Sequence, residues 1–363
     1  MSGPLDGVRV LELPAIGPSP FATMLLADLG ADVVRVDRPG GAPLQLVPPE
    51  QDLLGRGKRS VALDLKAATD VERLLGLVER ADLLVEGFRP GVAERLGVGP
   101  AECLGRNPRL VYGRMTGWGQ EGPYAATAGH DITYVATAGA LHAIGAAGGP
   151  PQIPLNLVGD FAGALYLTTG LLAALHEAGS SGRGQVVDAA MVDSTAHLMT
   201  AFHGLVAHGR WRDERGVNLL DGGAPFYGVY ETADGGFMAV GALEQQFYDE
   251  LLDRLGISPE DGDRTDPAGW PRLRERLAEA FANRTRDEWA AAFAGSDACV
   301  TPVLSMTEAQ HDEHLAARQT FAEHHGVVQP APAPRFSRTP GQLRRRPPSP
   351  GEHTDEVLAD WIG

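Results

Sequence analysis

The pattern of apolar and polar positions in the first 115 residues predicts strands that alternate with helices. Apolar runs with the length of buried strands occur at residues 8–13, 32–36, 61–63, 83–85 and 110–115. Segments 21–29 and 70–80 have amphipathic helical spacing. This alternation predicts a parallel sheet with right-handed crossovers, in which ligands bind at the carboxyl ends of the strands. The loops that hold Arg38, Arg89 and residues 117–122 are therefore candidate site loops.

From residue 157 onward the pattern predicts longer helices and a different domain. Small residues at helical spacing fill 157–177, a strand is predicted at 185–188, and residues 209–223 are polar enough for a long connection. A hairpin is predicted at 226–240 around the turn residues 233–236. Further helices are predicted at 244–255, 270–281 and 285–293. The predicted domains are a large first part at 1–208, a connection at 209–224, a small α+β domain at 225–325 and a C-terminal segment at 326–363.

Composition narrows the class of protein. The chain has 363 residues, of which 43% are hydrophobic and 21% charged, as in a soluble protein of two or three domains. The net charge of −16 argues against binding to nucleic acid or an anionic membrane, but a local arginine pocket can still bind an anionic small ligand. No apolar run has the roughly 18 residues of a membrane helix, and no signal peptide is recognised. We therefore expect a cytoplasmic protein.

The two cysteines, Cys103 and Cys299, are too few for a disulfide framework or a four-cysteine zinc site. We interpret both as small buried hydrophobic residues.

Three titratable side chains follow glycine-led turns. His130 follows Gly129 where a helix is predicted to start, Asp160 follows Gly159 at the start of the small-residue helix, and Glu244 follows an apolar strand. Asp160 and Glu244 also have a purely structural interpretation, because Asp is a preferred N-cap residue and an acidic residue is favourable at a helix start. Spacing alone favours these alternatives over catalysis.

Other site types find weaker support. His311, His314 and the pair at 324–325 invite a metal interpretation, but no complete ligand set has a recognisable spacing, so a solvated helix start is favoured. The first turn, residues 14–20, lacks the G-x-G-x-x-G pattern of NAD-binding folds, and no Walker A motif is present. Ser194 lacks the G-x-S-x-G pattern of a hydrolase nucleophile.

Four segments together resemble the family III coenzyme A transferase superfamily: GPLDGVRVLEL, LLADLGADVVRVDRPG, LLVEGFRPGVAERLG and MTGWGQEGPY. Three more are similar to its α-methylacyl-CoA racemase branch: AGHDITY at 128–134, PLNLVGDFAGAL at 154–165 and GALEQQFY at 241–248. SDACVTPVLS and PAPRFSRTP extend the resemblance nearly to the end of the chain.

The resemblance implies an α/β fold with a large Rossmann-like parallel-sheet domain completed by the C-terminus, a smaller α+β domain and an interlocked homodimer. It implies that His130 and Asp160 are the acid–base pair and that Glu244 supports the histidine from across the dimer interface. The coenzyme A contacts that it implies are Arg38, Leu63, Asp64, Leu65, Lys66, Gly87, Phe88, Arg89 and Arg95. The positions that it implies border the acyl-CoA are Gly129, Asp131, Ile132, Thr133 and Tyr134.

The activity implied is interconversion of (R)- and (S)-2-methylacyl-CoA thioesters. The α-proton leaves one face and a proton returns to the other face of a planar enolate, so two acid–base groups are needed, with N–H donors for the enolate oxygen. We expect those donors in the Gly129 and Gly159 turns. No metal or other cofactor is expected, because coenzyme A is part of the substrate.

Two alternatives remain. In a family III CoA-transferase, Asp160 would be a nucleophile that forms an acyl anhydride, and a histidine opposite it would not be needed. A non-catalytic acyl-CoA binding protein would need neither His130 nor Asp160.

Overall fold

The computed structural model describes residues 3–40 and 46–363. Within them, six strands form one sheet in the order β3-β2-β1-β4-β5-β6. The strands are β1 (Arg9–Glu12), β2 (Asp32–Asp37), β3 (Arg59–Ala62), β4 (Leu83–Glu86), β5 (Val111–Thr116) and β6 (Val186–Ala190). Every neighbouring pair is parallel, which confirms the predicted α/β class and parallel sheet. The strand order reverses direction between β1 and β4, where sheets of this type bind ligands.

The strands are apolar because both faces of the sheet are covered. Val10 packs into one hydrophobic cluster and its neighbour Leu11 into the other, on opposite faces. Helices are numbered in order along the whole chain. Those that accompany the six-stranded sheet are α1 (Pro18–Asp28), α2 (Ala68–Val78), α3 (Val92–Arg95), α4 (Pro100–Arg106), α5 (Asp131–Thr137), α7 (Ala162–Ser181), α8 (Met191–Leu198) and α15 (Thr354–Trp361). Short 3-10 turns occupy Pro49–Gln51 and Leu53–Gly55.

Helix α7 continues a π-helical turn, Leu157–Phe161, so that residues 157–181 form one long helix. By length and composition alone this helix could cross a membrane, but core helices of soluble proteins pass the same test. Its small residues allow a close approach to the sheet: a Cβ on Gly170 would lie 2.7 Å from the Val187 side chain. Leu167 and Leu171 are fully buried in this contact.

The C-terminal segment packs beside β2 and β3. Arg59 forms ion pairs with Asp32 at 2.5 Å, Glu356 at 3.1 Å and Asp360 at 2.9 Å. The Trp361 indole N–H also donates to Asp32, at 3.0 Å. A two-stranded antiparallel hairpin, β10 (Phe321–His324) and β11 (Val327–Pro330), belongs to the same part of the chain.

The chain divides into two compact units. The first comprises Met1–Ala138, Leu155–Leu198 and Ala316–Gly363, and the second comprises Gly139–Pro154 and Met199–Leu315. The second unit contains the antiparallel strands β7 (Tyr227–Glu231), β8 (Phe237–Gly241) and β9 (Val300–Pro302). Its helices are α6 (Ala140–Ala143), α9 (Thr200–Ala207), α10 (Gln245–Leu255), α11 (Trp270–Phe281), α12 (Arg286–Phe293) and α13 (Met306–Ala309), with a 3-10 turn at Pro267–Gly269. Helix α14 (Glu313–Ala317) spans the boundary.

These limits differ from the predicted domain ranges, because residues 139–154 pack with the segment predicted as a connection. Gly216 lies so close to the backbone of Ala147 that it leaves no room for a Cβ. Asp221 accepts N–H bonds from Gly216 at 2.9 Å, Asn218 at 2.8 Å and Gly223 at 3.1 Å. Residues 209–224 are therefore a folded part of the second unit, held by backbone contacts that polarity along the sequence does not reveal.

Candidate active site

A cavity of about 300 Å³ opens at the carboxyl edge of the six-stranded sheet. Its walls come from the segments that follow β1, β4 and β5, at residues 16–19, 87–90 and 117–118, with Met191 after β6. His130 and Asp160 both line it. The cavity therefore lies at the reversal of strand order, as expected for a ligand site in such a sheet.

His130 is placed by the first turn of α5. It is the N-cap residue of that helix, with extended backbone, and its side chain is exposed to the cavity and solvent. The Thr133 hydroxyl accepts the His130 backbone N–H at 3.1 Å and donates to the His130 carbonyl at 2.7 Å. Gly129 must be small, because a Cβ there would lie 2.5 Å from the buried Tyr134 ring.

Asp160 lies inside the π-helical turn that precedes α7. It does not act as the N-cap of α7, since that position is Phe161. Its side chain is half-buried and accepts a hydrogen bond from the Asn156 amide at 3.3 Å. Isolated π-helical turns are frequent at functional sites, and here the turn presents a carboxylate to the cavity rather than capping a helix.

Burial raises the pKa of Asp160 above its usual value, and the nearby charge of Asp131 raises this pKa further. The Asn156 hydrogen bond and the charge of His130 act in the opposite direction on the pKa of Asp160. The charges of His130 and Asp160 thus act on each other across the same cavity.

A second cavity, of about 580 Å³, also borders Asp160. Apolar side chains line much of it, among them Ile16, Pro20, Leu54 and Phe161. Its polar wall contains the buried ion pair of Lys58 and Glu12, 2.6 Å apart. Asp160 therefore stands between a polar cavity and a larger, more apolar one.

Comparison with known proteins places this chain in a family. The chain is 48% identical to α-methylacyl-CoA racemase of Mus musculus and 45% identical to that of Homo sapiens, in each case over 98% of this chain and 93% of the relative. The family model described as CoA-transferase family III matches residues 5–354. The chain belongs to this family. Among solved structures, a CAIB/BAIF family protein from Brucella suis matches with a TM-score of 0.86 and 26% identity, covering 99% of this chain and 100% of that one.

The resemblance to CoA-transferase family III seen in the sequence is thus confirmed, and the structure brings part of the predicted site together. Of the positions predicted to contact coenzyme A or border the acyl group, those that line the same cavity as His130 and Asp160 are Gly87, Phe88, Arg89, Gly129 and Tyr134. The carboxyl edge of the sheet also carries Arg38 after β2 and Lys66 after β3, both exposed, and Arg95 is exposed at the end of α3. Ile132 and Thr133 are exposed on α5.

Two predicted contacts cannot be made by side chains. Leu63 is fully buried and Leu65 is 8% exposed, both in the hydrophobic core beneath the sheet edge. The exposed residues of this stretch are Asp64 and Lys66, joined by a hydrogen bond from the Lys66 N–H to Asp64 at 3.0 Å. A ligand could reach Leu63 and Leu65 only through their backbone groups.

Glu244 lies in the second unit, as the N-cap residue of α10. Its side chain is exposed and makes no capping hydrogen bond. Its position agrees with the alternative that it is a favourable acidic residue at a helix start. The supporting role across a dimer interface stays a prediction.

The structure changes the prediction of N–H donors for the enolate oxygen at one of the two turns, that of Gly159. The N–H groups of Gly159 and Asp160 donate to Asp131 Oδ1 at 2.9 Å and 2.7 Å. They are already engaged within the protein. In the first turn of α5, next to Gly129, the Thr133 N–H donates to the His130 carbonyl at 2.8 Å. The N–H groups of Asp131 and Ile132 precede the first full turn and have no acceptor within their own helix.

Several cavity residues were missed by sequence reasoning. The Ser19 hydroxyl and the Trp118 indole N–H line the cavity and are buried without a hydrogen-bond partner in the described part of the chain. Behind the cavity, Glu86 accepts the Phe88 N–H at 2.6 Å and pairs with Arg114 at 3.0 Å. The sequence signal for Glu86 was its place at the end of an apolar strand, in EGFRPG.

Other expectations concern chemistry away from the cavity. Within residues 3–40 and 46–363, no group of three or more His, Cys, Asp or Glu side chains could hold a metal ion. His324 and His325 lie at the β10–β11 hairpin. Cys103 is buried, and burial raises the pKa of its thiol to about 12. Cys299 is exposed, so the expectation of a buried residue was wrong for it.

Proposed function

We propose that this protein racemises 2-methylacyl-CoA thioesters by two-base proton transfer at the α-carbon. One observation carries the proposal: a histidine and a carboxyl with a raised pKa border the same cavity, at the ligand-binding edge of a parallel sheet. The near full-length identity to two racemases supports the same activity.

The pair carries one transferable proton. With His130 neutral and Asp160 protonated, His130 removes the α-proton of one enantiomer and Asp160 returns a proton to the other face. With His130 protonated and Asp160 ionised, the reverse reaction runs. Burial favours the protonated carboxyl of Asp160, and a positive charge on His130 favours the ionised one. Each acid–base role contributes roughly 10²–10⁴-fold in rate.

The enolate oxygen needs a hydrogen-bond donor. We assign this role to the N–H groups of Asp131 and Ile132 in the first turn of α5. They follow His130 directly, and the positive end of the helix dipole favours a developing negative charge. The donors of the Gly159 turn are taken by Asp131 and are not assigned.

Coenzyme A lies along the carboxyl edge of the sheet in this proposal. Arg89 in the cavity and the exposed Arg38, Lys66 and Arg95 supply positive charge for its phosphates. The acyl chain enters the apolar cavity beside Asp160, where Leu54 and Phe161 form part of the wall. Neither a metal nor another cofactor is required by this scheme.

The proposal includes a cytoplasmic homodimer in which the partner's Glu244 supports His130 by hydrogen bonding to its imidazole. Large apolar side chains of the first unit that are exposed in the single chain support association: Leu157 is 55% exposed, Leu165 is 52% and Leu198 is 45%. Sedimentation of the purified protein at micromolar concentration measures the oligomeric state, and a monomer would remove this part of the proposal.

Proton exchange tests the activity. A 2-methylacyl-CoA of one configuration, incubated with the enzyme in D₂O, should gain deuterium at the α-carbon and become a mixture of both configurations. The family also includes CoA-transferases, so a carboxylic acid acceptor is added in a parallel reaction. Transfer of coenzyme A to the acceptor without α-exchange would favour an Asp160 nucleophile instead. Binding without either reaction would leave only an acyl-CoA binding protein.

A further inference from the structure

One side chain joins the two segments that carry the acid–base groups. Asp131 directly follows His130 and begins α5, and its Oδ1 accepts the N–H of Gly159 at 2.9 Å and the N–H of Asp160 at 2.7 Å. These bonds link residues 28 and 29 positions apart in the sequence. A movement of the His130 helix is therefore transmitted directly to the backbone of Asp160.

The link is closed to solvent and leaves no room for adjustment. Asp131 is 8% exposed, and its other carboxylate oxygen, Oδ2, is buried without a hydrogen-bond partner in the described residues. Gly159 packs so closely on Oδ1 that a Cβ there would overlap it. Two short charge-assisted bonds at an almost fully buried carboxylate form a rigid joint.

We propose that Asp131 is a positioning residue that fixes the separation of His130 and Asp160 by binding the Asp160 turn to the first turn of the His130 helix. The proposal rests on the function proposed above. It assigns the Asp131 side chain to the geometry of the acid–base pair and leaves its backbone N–H to the substrate. Misplacement of reacting groups by about 1 Å can cost 10²-fold in rate, so a joint of this kind has a measurable effect.

The joint also places a negative charge beside Asp160. The groups that face Asp160 are His130 and Tyr134 from α5, Asp131 itself and Asn156 from its own turn, while helix α1 approaches with the uncharged Gly17. Across the second cavity lie Glu12, Arg35, Asp37, Asp52 and Lys58. Because the like charge of Asp131 disfavours ionisation, it raises the pKa of Asp160. A group that served only to hold the fold together would not need to affect that pKa.

Two substitutions separate geometry from charge. Asp131→Asn keeps an oxygen that can accept both N–H bonds but removes the charge. Asp131→Ala removes the bonds as well. The control is Asp355→Asn, which removes a carboxylate from the first turn of another helix, α15. Circular dichroism and thermal unfolding verify that each variant is folded.

The first readout is the pKa of Asp160, measured by carboxyl ¹³C NMR on the full-length protein without substrate. We expect Asp131→Asn to lower this pKa, because it removes a like charge beside Asp160, and Asp355→Asn to leave it unchanged. An unchanged pKa of Asp160 in Asp131→Asn overturns the proposal. This measurement requires no catalytic activity, so its result is valid even if the wild type does not exchange the α-proton.

The second readout is steady-state α-exchange. We expect Asp131→Ala to lower kcat by roughly 10–100-fold with a change in KM of less than about threefold, since the coenzyme A contacts lie elsewhere. Asp131→Asn should recover most of that kcat, because it restores the two bonds. A folded Asp131→Ala variant with the kcat of the wild type overturns the proposal, whether or not its KM changes.

Discussion

The two segments that carry the proposed acid–base groups, His130 and Asp160, are built in opposite ways. His130 is an exposed N-cap residue at the end of a long loop, and its backbone is held by one threonine hydroxyl. Asp160 is half-buried in a π-helical turn, with its backbone bound to Asp131 and its side chain bound to Asn156. One group is open to solvent, and the other is enclosed by the protein.

This difference indicates how the two groups exchange protons. The His130 side chain is exposed, whereas the Asp160 side chain is half-buried between two cavities. Burial raises the pKa of Asp160 above its usual value, so this carboxyl depends on its surroundings. The two groups have symmetrical roles in the proposed reaction but unequal structural surroundings, and variants should reveal the inequality.

The largest effect is expected from removing either base. In His130→Ala and Asp160→Asn, racemisation should fall by roughly 10²–10⁴-fold or more, because one of the two proton transfers is lost. Each variant should still exchange the α-proton of one enantiomer, the one that faces the remaining base. Proton NMR of each pure enantiomer in D₂O measures this. If either variant exchanges both enantiomers equally, the two-base assignment is wrong.

The next effect concerns the enclosed side alone. Gly159→Ala places a Cβ against Asp131 Oδ1 and should displace the Asp160 turn, with a fall in kcat of about 10²-fold. Gly179→Ala is the matched control in α7, because a Cβ there meets nothing within 4 Å. The control should retain activity and gain slightly in stability, since Ala is a better helix former than Gly. Equal activity of the two variants would mean that the turn tolerates displacement.

The contrast also explains which features of the fold and site could be predicted from the sequence. Buried parallel strands are apolar runs in the sequence, so the bounds of β1, β2 and β4 were predicted to within a residue or two. Helix α11 was predicted at 270–281, the same range that the structure has, because its amphipathic spacing is regular. Local spacing thus predicted the sheet and the loops that surround the cavity. The pairing of His130 with Asp160 came from family resemblance, since the 29 intervening residues carry no local signal of proximity.

What the sequence could not reveal depends on contacts between distant segments. The π-helical turn at Leu157–Phe161 differs from an α-helix by one hydrogen-bond register, which residue spacing does not report. The bond of Asp131 to Asp160 could not be read from an acidic residue at a helix start, a common position for Asp. Leu63 and Leu65 matched a binding motif, yet their alternation with Asp64 and Lys66 is that of a chain with one buried side.

A third carboxyl, that of Glu86, extends the comparison, because it is buried but is also bound by charged and hydrogen-bonding partners. Burial raises the pKa of Glu86 to about 7, although Arg114 and the Phe88 N–H favour its ionised form. The folded protein therefore binds this proton more tightly than the unfolded chain. Its contribution to stability is fully present below the unfolded value of 4.5 and is lost as pH rises through about 7.

Urea unfolding at pH 5 and pH 8 measures that contribution. We expect the free energy of unfolding of the wild type to fall over this range by about 2 kcal/mol more than that of Glu86→Gln, which cannot titrate. Glu94→Gln is the control, because Glu94 contacts the same Arg114 at 3.0 Å but is exposed. The same pH dependence in Glu86→Gln and the wild type would show that another group is responsible.

The smallest effect is expected from the single hydrogen bond on the Asp160 side chain. The Asn156 amide lies 3.3 Å from Asp160 Oδ2 and lowers the pKa of Asp160, against the effect of burial. In Asn156→Ala the pKa of Asp160 should therefore rise, and the ionised carboxyl should form only at higher pH. For the enantiomer that Asp160 deprotonates, the acid limb of the kcat/KM profile should move to higher pH. The profile of the other enantiomer should move in its opposite limb, since there Asp160 must stay protonated. Shifts of the same sign and limb for both enantiomers would mean that the exposed and enclosed groups do not exchange roles.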